Sequence, residues 1–306
     1  MDFQLKPEQT ELMDSARRYA REQLSDIAEQ IERTAEPPGA ELIREFAGMG
    51  YLGINVPEAL GGLGLGNLEA LIVIEEVAKI SAAVAFPIFE SCVGPVRAIE
   101  RFGSDALKRD VVPAVCRGER VVAIAMSEPA AGSALTDLTT RGSIDGDTVT
   151  LNGTKRWCSG GGHADGYLVY CRLSDEPGAK GIGAVYVPKG TAGMSFGEQE
   201  QLMGFRGVPS SDIYFDDVRV PLGHVVVAAG GFKKLMTAFD LERCGNATMC
   251  LAIAQSALDQ ALAYTGERKA FGQTIDQFQG LQFRLADMEI ELQAARTFLR
   301  QAAWKL

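Results

Sequence analysis

The chain has 306 residues, 46% of them hydrophobic, enough to bury a substantial core and to divide into about two or three domains. Its 30 Lys and Arg against 40 Asp and Glu leave a net charge of −10, which disfavours general nucleic-acid binding and obliges any anionic ligand to find a local basic cluster. Six cysteines without a CxxC pair and two well-separated histidines, His163 and His224, argue against a metal centre and fit reduced thiols in a cytoplasmic setting.

The amino-terminal stretch "MDFQLKPEQTELM" carries acids and lacks an apolar h-region, so it does not read as a signal peptide, and no apolar run reads as long enough to span a bilayer. Over residues 1–118, apolar residues recur at helical spacing in "EQTELMDSARRYAREQL", "GAELIREFAGMG", "NLEALIVIEEVAKI" and "PVRAIERFG", predicting an α-helical domain. Within it Gly62, Gly64 and Gly66 imitate a dinucleotide fingerprint, but Asn67 stands where that pattern needs glycine, and the stretch reads as a turn. Over residues 119–228 the period changes to two in "TVTLNG", "GYLVYCRL", "GIGAVYVP" and "DIYFDDVRVP", which predicts an antiparallel sheet or β-barrel. Residues 229–306 hold two long helices around "KAFGQ", expected to be wet on one side and packed on the other. The second stops at Trp304-Lys305-Leu306 with no Gly, Pro or capping residue, so this domain is expected to be incomplete.

One stretch asks for a ligand. In "VVAIAMSEPAAGSA" an apolar run breaks into Ser127-Glu128-Pro129, small residues and Gly132-Ser133, a strand end with nothing bulky after it. A polar exit from a strand into a loop explains this as well as a flat ligand does. Further along, "RWCSGGG" sets a tryptophan and a serine before three glycines.

Taken together, "AMSEPAAGSA", "LNGTKRWCSGG", "GFRGVPSSDIYFDDVRVP", "FDLERCG" and "GERKAFGQTIDQFQGLQFRLADM" resemble the acyl-CoA dehydrogenase family, in the same order and at similar spacing over the whole chain. The resemblance implies an α+β multidomain fold: an N-terminal α-helical domain, a middle antiparallel β-barrel and a C-terminal α-helical domain, with FAD between barrel and C-terminal helices. It places Met126 and Ser127 at the flavin pyrimidine edge, Gly132 and Ser133 near the pyrophosphate, Trp157 over the isoalloxazine and Ser159 at flavin N5. Arg268, Phe271 and Gln279 match positions that reach the FAD of a neighbouring subunit, so the chain is expected to be a homo-oligomer, dimer or tetramer. Ala270 departs from the hydroxyl residue common there, and Val208-Pro209 departs from the more polar family sequence near Arg206.

Helix spacing selects the chemistry. In "AFDLERCGNATM", Asp240 and Arg243 are three apart and share a face where they can pair; the resemblance has them, with Ser133, meet the CoA end of the substrate. Glu242 falls on a different stripe, with Phe239, Gly245, Asn246 and Met249, where apolar surroundings raise a carboxyl pKa. Most helical glutamates are merely exposed. Within the family, however, Glu242 matches one of two locations of the catalytic base; the other lies in a loop beyond Leu306.

The reading is FAD-dependent α,β-dehydrogenation of an acyl-CoA thioester, with an electron-transfer flavoprotein as acceptor. Two rivals stand beside it: redox-neutral acyl-CoA desulfination on the same fold, and a non-catalytic CoA- or FAD-binding assembly subunit. Phe86, Phe89, Glu90 and Ser91 are candidates for the acyl pocket, though a core helix explains the phenylalanines equally well.

Overall fold

The computed structural model describes residues 4–306, so the first three residues of the amino-terminal stretch lie outside the description. Seven helices come first: α1 (Pro7–Gln23), α2 (Ser25–Thr34), α3 (Ala40–Gly48), α4 (Asn67–Ala78), α5 (Ala82–Cys92), α6 (Pro95–Phe102) and α7 (Asp105–Cys116). Proline at the first position starts α1 and α6, where its missing N–H costs nothing. In α4 every residue from Ala70 to Ala78 is buried, because α1 covers one flank and the C-terminal helices another.

By length and composition Ala82–Phe102 is apolar enough to cross a membrane, which corrects the expectation that no such run exists. In the fold it is two helices, α5 and α6, largely buried in the helical core. They part at Gly94, where a Cβ would stand 2.8 Å from the Glu90 carbonyl oxygen.

The middle region contributes β1 (Val122–Ala125), β2 (Arg141–Asp145), β3 (Thr148–Ser159), β4 (Gly166–Arg172), β5 (Ile182–Pro188), β6 (Met194–Phe196), β7 (Ser210–Pro221) and β8 (Val225–Val227). The strand order is β6-β7-β3-β2-β4-β5-β8, with β1 parallel to β4. The expected closed, antiparallel barrel is not formed. β1 takes the edge of β4 from Gly166 to Val169, leaving β2 only the Arg141–Arg172 pair, so the sheet splits into two wings hinged there. Between the wings lie Val149, Leu151, Val169, Val187 and Phe215. On the opposite face of β4 and β5, Leu168, Tyr170 and Tyr186 pack towards α6 and α7, so both faces of these strands are covered and they read as continuous apolar runs.

The chain ends in α8 (Phe232–Glu267), a short hairpin of β9 (Lys269–Ala270) and β10 (Gln273–Thr274), and α9 (Gln279–Lys305). Phe271 and Gly272 turn the hairpin at φ of 51° and 84°, the positive pair that a two-residue hairpin loop favours. Near its start α8 crosses α5 at Gly245, where a Cβ would lie 2.5 Å from Val93 and 2.7 Å from Phe89. Arg296 of α9 donates to Glu75 of α4 and to Gln255 of α8, each at 2.8 Å, tying three helices together. The far side of α8 and α9 is not polar throughout: Ile253, Tyr264, Phe283, Ile290, Phe298 and Trp304 are all exposed.

Candidate active site

The site begins at two strand ends clamped by a buried ion pair. Lys155, fully buried on β3, donates to the Glu128 carboxylate at 2.7 Å and to the Met126 carbonyl at 3.0 Å. The same carboxylate accepts from the Thr139 N–H and hydroxyl, both at 2.7 Å, and from the Thr140 N–H at 2.9 Å. Burial works against the charged carboxyl, but the Lys155 ammonium and these donors outweigh it and hold Glu128 down at about 2. Burial also lowers Lys155, opposed by Glu128; with so many donors fixed on the carboxylate, the ionised pair is the state the geometry requires. A further bond, Arg156 N–H to the Ser127 carbonyl at 2.9 Å, completes the clamp between residues 126–128 and 155–156.

Next to it β3 bulges. The register shifts between Lys155 and Cys158, and Trp157 is held there at φ 52°, a conformation that a bulky residue keeps only when its surroundings dictate it. Its backbone N–H donates to Asp212, the Arg156 guanidinium lies 4.8 Å over its ring, and the side chain remains 61% exposed. Met126, Ser127 and Ser159 are half-buried nearby, at the ends of the clamped strands. A rigidly held, exposed aromatic face beside small and polar strand ends suits a flat heteroaromatic group such as the isoalloxazine of FAD. Gly132 and Ser133 are exposed, and a Cβ on Gly132 would meet nothing within 4 Å. The glycines after Ser159 have an internal reason: a Cβ would come within 3.0 Å of Ala123 at Gly160 and within 2.5 Å of Ser211 at Gly161.

Glu242 approaches from α8. Asp240 and Arg243 pair at 3.5 Å as the spacing predicts, and Arg243 also lies 4.7 Å over the Phe239 ring; both charges are exposed. Gly245 and Met249 are buried, whereas Asn246 is exposed and donates to the Glu242 carbonyl, so the predicted apolar stripe is apolar only in part. Some of the Glu242 surface is open, yet its carboxyl group is packed by protein, and burial pushes it up to about 8 against the pull of Arg243. Its charge is felt by Tyr170 of β4 and by Glu90 of α5, both pushed up chiefly by burial. Glu242 therefore stands where the sheet, α5 and α8 meet.

Arg268, Phe271 and Gln279 do not join this cluster within one chain. Arg268 lies 26 residues beyond Glu242 on α8 and its cap, a rise of about 39 Å. All three are exposed, Phe271 at 98%. Ala270 is half-buried, Val208 is buried, and Arg206 donates to the Glu32 carbonyl at 2.7 Å, fixing its loop to α2.

The Glu128–Lys155 clamp was not singled out from sequence. A signal existed: Val149, Leu151 and Lys155 share parity on β3, which puts the lysine on the inward face.

Three family profiles match in order: the acyl-CoA dehydrogenase N-terminal domain at residues 6–119, the middle domain at 123–218 and the C-terminal domain at 229–306. The chain belongs to the acyl-CoA dehydrogenase family. This family comprises flavoprotein oxidoreductases acting on CoA thioesters. Among curated relatives, a 3-sulfinopropanoyl-CoA desulfinase of Paraburkholderia xenovorans is 40% identical over 98% of this chain and 78% of its own length. A probable acyl-CoA dehydrogenase, fadE25, of Mycobacterium leprae is 36% identical over 98% and 77%. Among solved structures, butyryl-CoA dehydrogenase from Megasphaera elsdenii is 31% identical with a TM-score of 0.94, covering 100% of this acyl-CoA dehydrogenase family member and 81% of that chain. A structure described as the electron transferring flavoprotein of Acidaminococcus fermentans gives 32%, 0.94, 99% and 80%, and the FAD complex of PigA gives 27%, 0.94, 100% and 80% in the same order.

Proposed function

We propose that the protein is an FAD-dependent acyl-CoA dehydrogenase in which Glu242 removes the α-proton of an acyl-CoA thioester. The observation that carries this reading is the position of the Glu242 carboxyl, packed by protein at the junction of β4, α5 and α8, where burial pushes it up to about 8. A base that weak as an acid suits proton abstraction near neutral pH. A bound flavin supplies acceptance of a hydride from the β-carbon. Trp157, Met126, Ser127 and Ser159 hold its ring system, with Gly132 and Ser133 near its pyrophosphate. Asp240 and Arg243 orient the CoA portion at the exposed mouth. Arg268, Phe271 and Gln279 serve the FAD of a second copy, since one chain does not bring them to the cluster. An electron-transfer flavoprotein is the proposed acceptor, and the free cysteines fit a cytoplasmic location.

Cofactor released by denaturation is expected to be FAD, because Arg268 and Gln279 match contacts to the adenylate half; finding FMN alone overturns the reading. Anaerobic titration with straight, branched, cyclic and dicarboxylic acyl-CoAs is expected to bleach the flavin with at least one of them. The similarity to 3-sulfinopropanoyl-CoA desulfinases supports a second reading, elimination without net redox. Release of sulfite from a sulfinylated acyl-CoA, with no reduction of an electron-transfer flavoprotein, would decide for it.

A further inference from the structure

A cavity of about 340 Å³ lies where the N-terminal helices meet the sheet. Its walls are largely apolar, with Ile43 from α3, Phe86 and Ala83 from α5, and Pro209 from the loop before β7. Set into this wall is Glu90, only 4% exposed, whose Oε2 has no hydrogen-bond partner among the described residues. Native interiors rarely leave such an atom unpaired, so it points to a partner from outside the chain.

The cavity also touches the active site. Gly160, which follows Ser159, and Ala123, on the strand leading to Met126, both line it. Glu90 follows Phe89, which packs against α8 at Gly245, one turn from Glu242. The ionisable groups lining the cavity are Glu90, Glu119, His163 and Asp165, with no lysine or arginine among them.

We propose that this cavity receives the distal end of the acyl group, and that Glu90 selects acyl thioesters carrying a neutral hydroxyl there while disfavouring those that end in an anion. This rests on the acyl-CoA reading above. Burial, with the charge of Glu242 added, pushes the Glu90 carboxyl up and favours its protonated form, which can both donate and accept a hydrogen bond. A hydroxyl satisfies it in otherwise apolar surroundings. A terminal carboxylate or sulfinate would add a negative charge to a wall that holds Glu90, Glu119 and Asp165 against His163 alone, with no lysine or arginine to receive it.

The test uses the FAD-loaded protein and a length series of straight-chain acyl-CoAs in three forms: unsubstituted, ω-hydroxy and ω-carboxy. Affinity is read by calorimetry, and reduction by flavin absorbance, for the wild type, Glu90→Gln and Glu90→Leu. At the best-fitting length the wild type is expected to bind the ω-hydroxy form at least about tenfold more tightly than the ω-carboxy form. Glu90→Gln, neutral and still able to hydrogen-bond, should keep that order. Glu90→Leu should erase the advantage of the hydroxyl over the unsubstituted chain. Equal or tighter binding of the ω-carboxy form by the wild type overturns the proposal, as does a hydroxyl advantage that survives in Glu90→Leu. Failure of the acyl-CoA reading looks different: no thioester of any form binds or reduces the flavin, and the proposal falls with it.

Discussion

The proposed chemistry rests on one carboxyl, that of Glu242. Glu242→Gln keeps shape and removes the proton acceptor, so FAD content should survive while substrate-driven flavin reduction slows by about 10² to 10⁴ in stopped-flow single turnovers. An unchanged rate would place the base elsewhere. Because only the deprotonated group accepts a proton, the wild-type rate should climb as pH rises through about 8 and level off above it, and this climb should vanish in the variant. Stability runs the other way. Between the ordinary carboxylate range and about 8 the folded protein holds a proton that the unfolded chain has released, so unfolding free energy falls as pH rises across that window, and Glu242→Gln should flatten the slope. A second residue-scale test concerns the clamp. Lys155→Met leaves the buried Glu128 charge uncompensated and should cost about 3–5 kcal/mol by urea unfolding, whereas Glu128→Gln together with Lys155→Met, which removes the charge and keeps an acceptor for Thr139 and Thr140, should recover part of it. The Asp240–Arg243 pair and the separate stripe of Glu242 were legible in sequence because helix spacing fixes which side chains share a face. The surroundings of Glu90 were not, because the unpartnered oxygen, the cavity and Glu242 come together only through tertiary packing of distant segments.

At the level of elements, the α5–α8 crossing depends on the absence of a side chain at Gly245. Gly245→Ala drives a methyl into Val93 and Phe89 and should destabilise by about 1–3 kcal/mol, measured by denaturant unfolding, and should lower acyl-CoA affinity by displacing Glu242 from α5. A variant of wild-type stability would mean that the seam can open at no cost. The strands themselves were readable from their period of two. Closure was not, because alternation says which residues face inward and nothing about which strands end a sheet; here the paired path ends at β6 and β8, which do not pair with each other. The bulge at Trp157 escaped notice for a related reason: it is a mismatch between β3 and β7, visible only once both strands are in register.

Across the whole molecule, α8 and α9 carry apolar side chains on a face that the described residues do not cover, Phe298 at 75% and Trp304 at 79% exposed among them. We propose that further copies of the chain cover part of it, because Arg268, Phe271 and Gln279 at its end stand away from the cluster they are proposed to serve. Light scattering should report a dimer or tetramer. Ile290→Asp with Phe298→Asp should shift it to monomer and reduce retained FAD; a monomer that keeps its full complement would contradict the shared-site reading. The length of α8 was evident from its sequence, but the exposed apolar residues were not expected, because periodicity marks an apolar side without saying whether the same chain or another covers it.

Along α8 the Glu242 carboxyl, proposed as the proton acceptor, and Arg268 at the helix cap stand about 39 Å apart. If each site takes its base from one chain and its guanidinium from another, two defective proteins can repair one another. Glu242→Gln subunits lack the acceptor but lend an intact Arg268, and Arg268→Ala subunits do the reverse. Unfolded together and reassembled with FAD, they form mixed pairs in which one site carries both lesions and the other carries neither. Activity recovered from two nearly inactive parents, with a yield that follows the fraction of mixed assemblies, is the complementation that this helix prescribes.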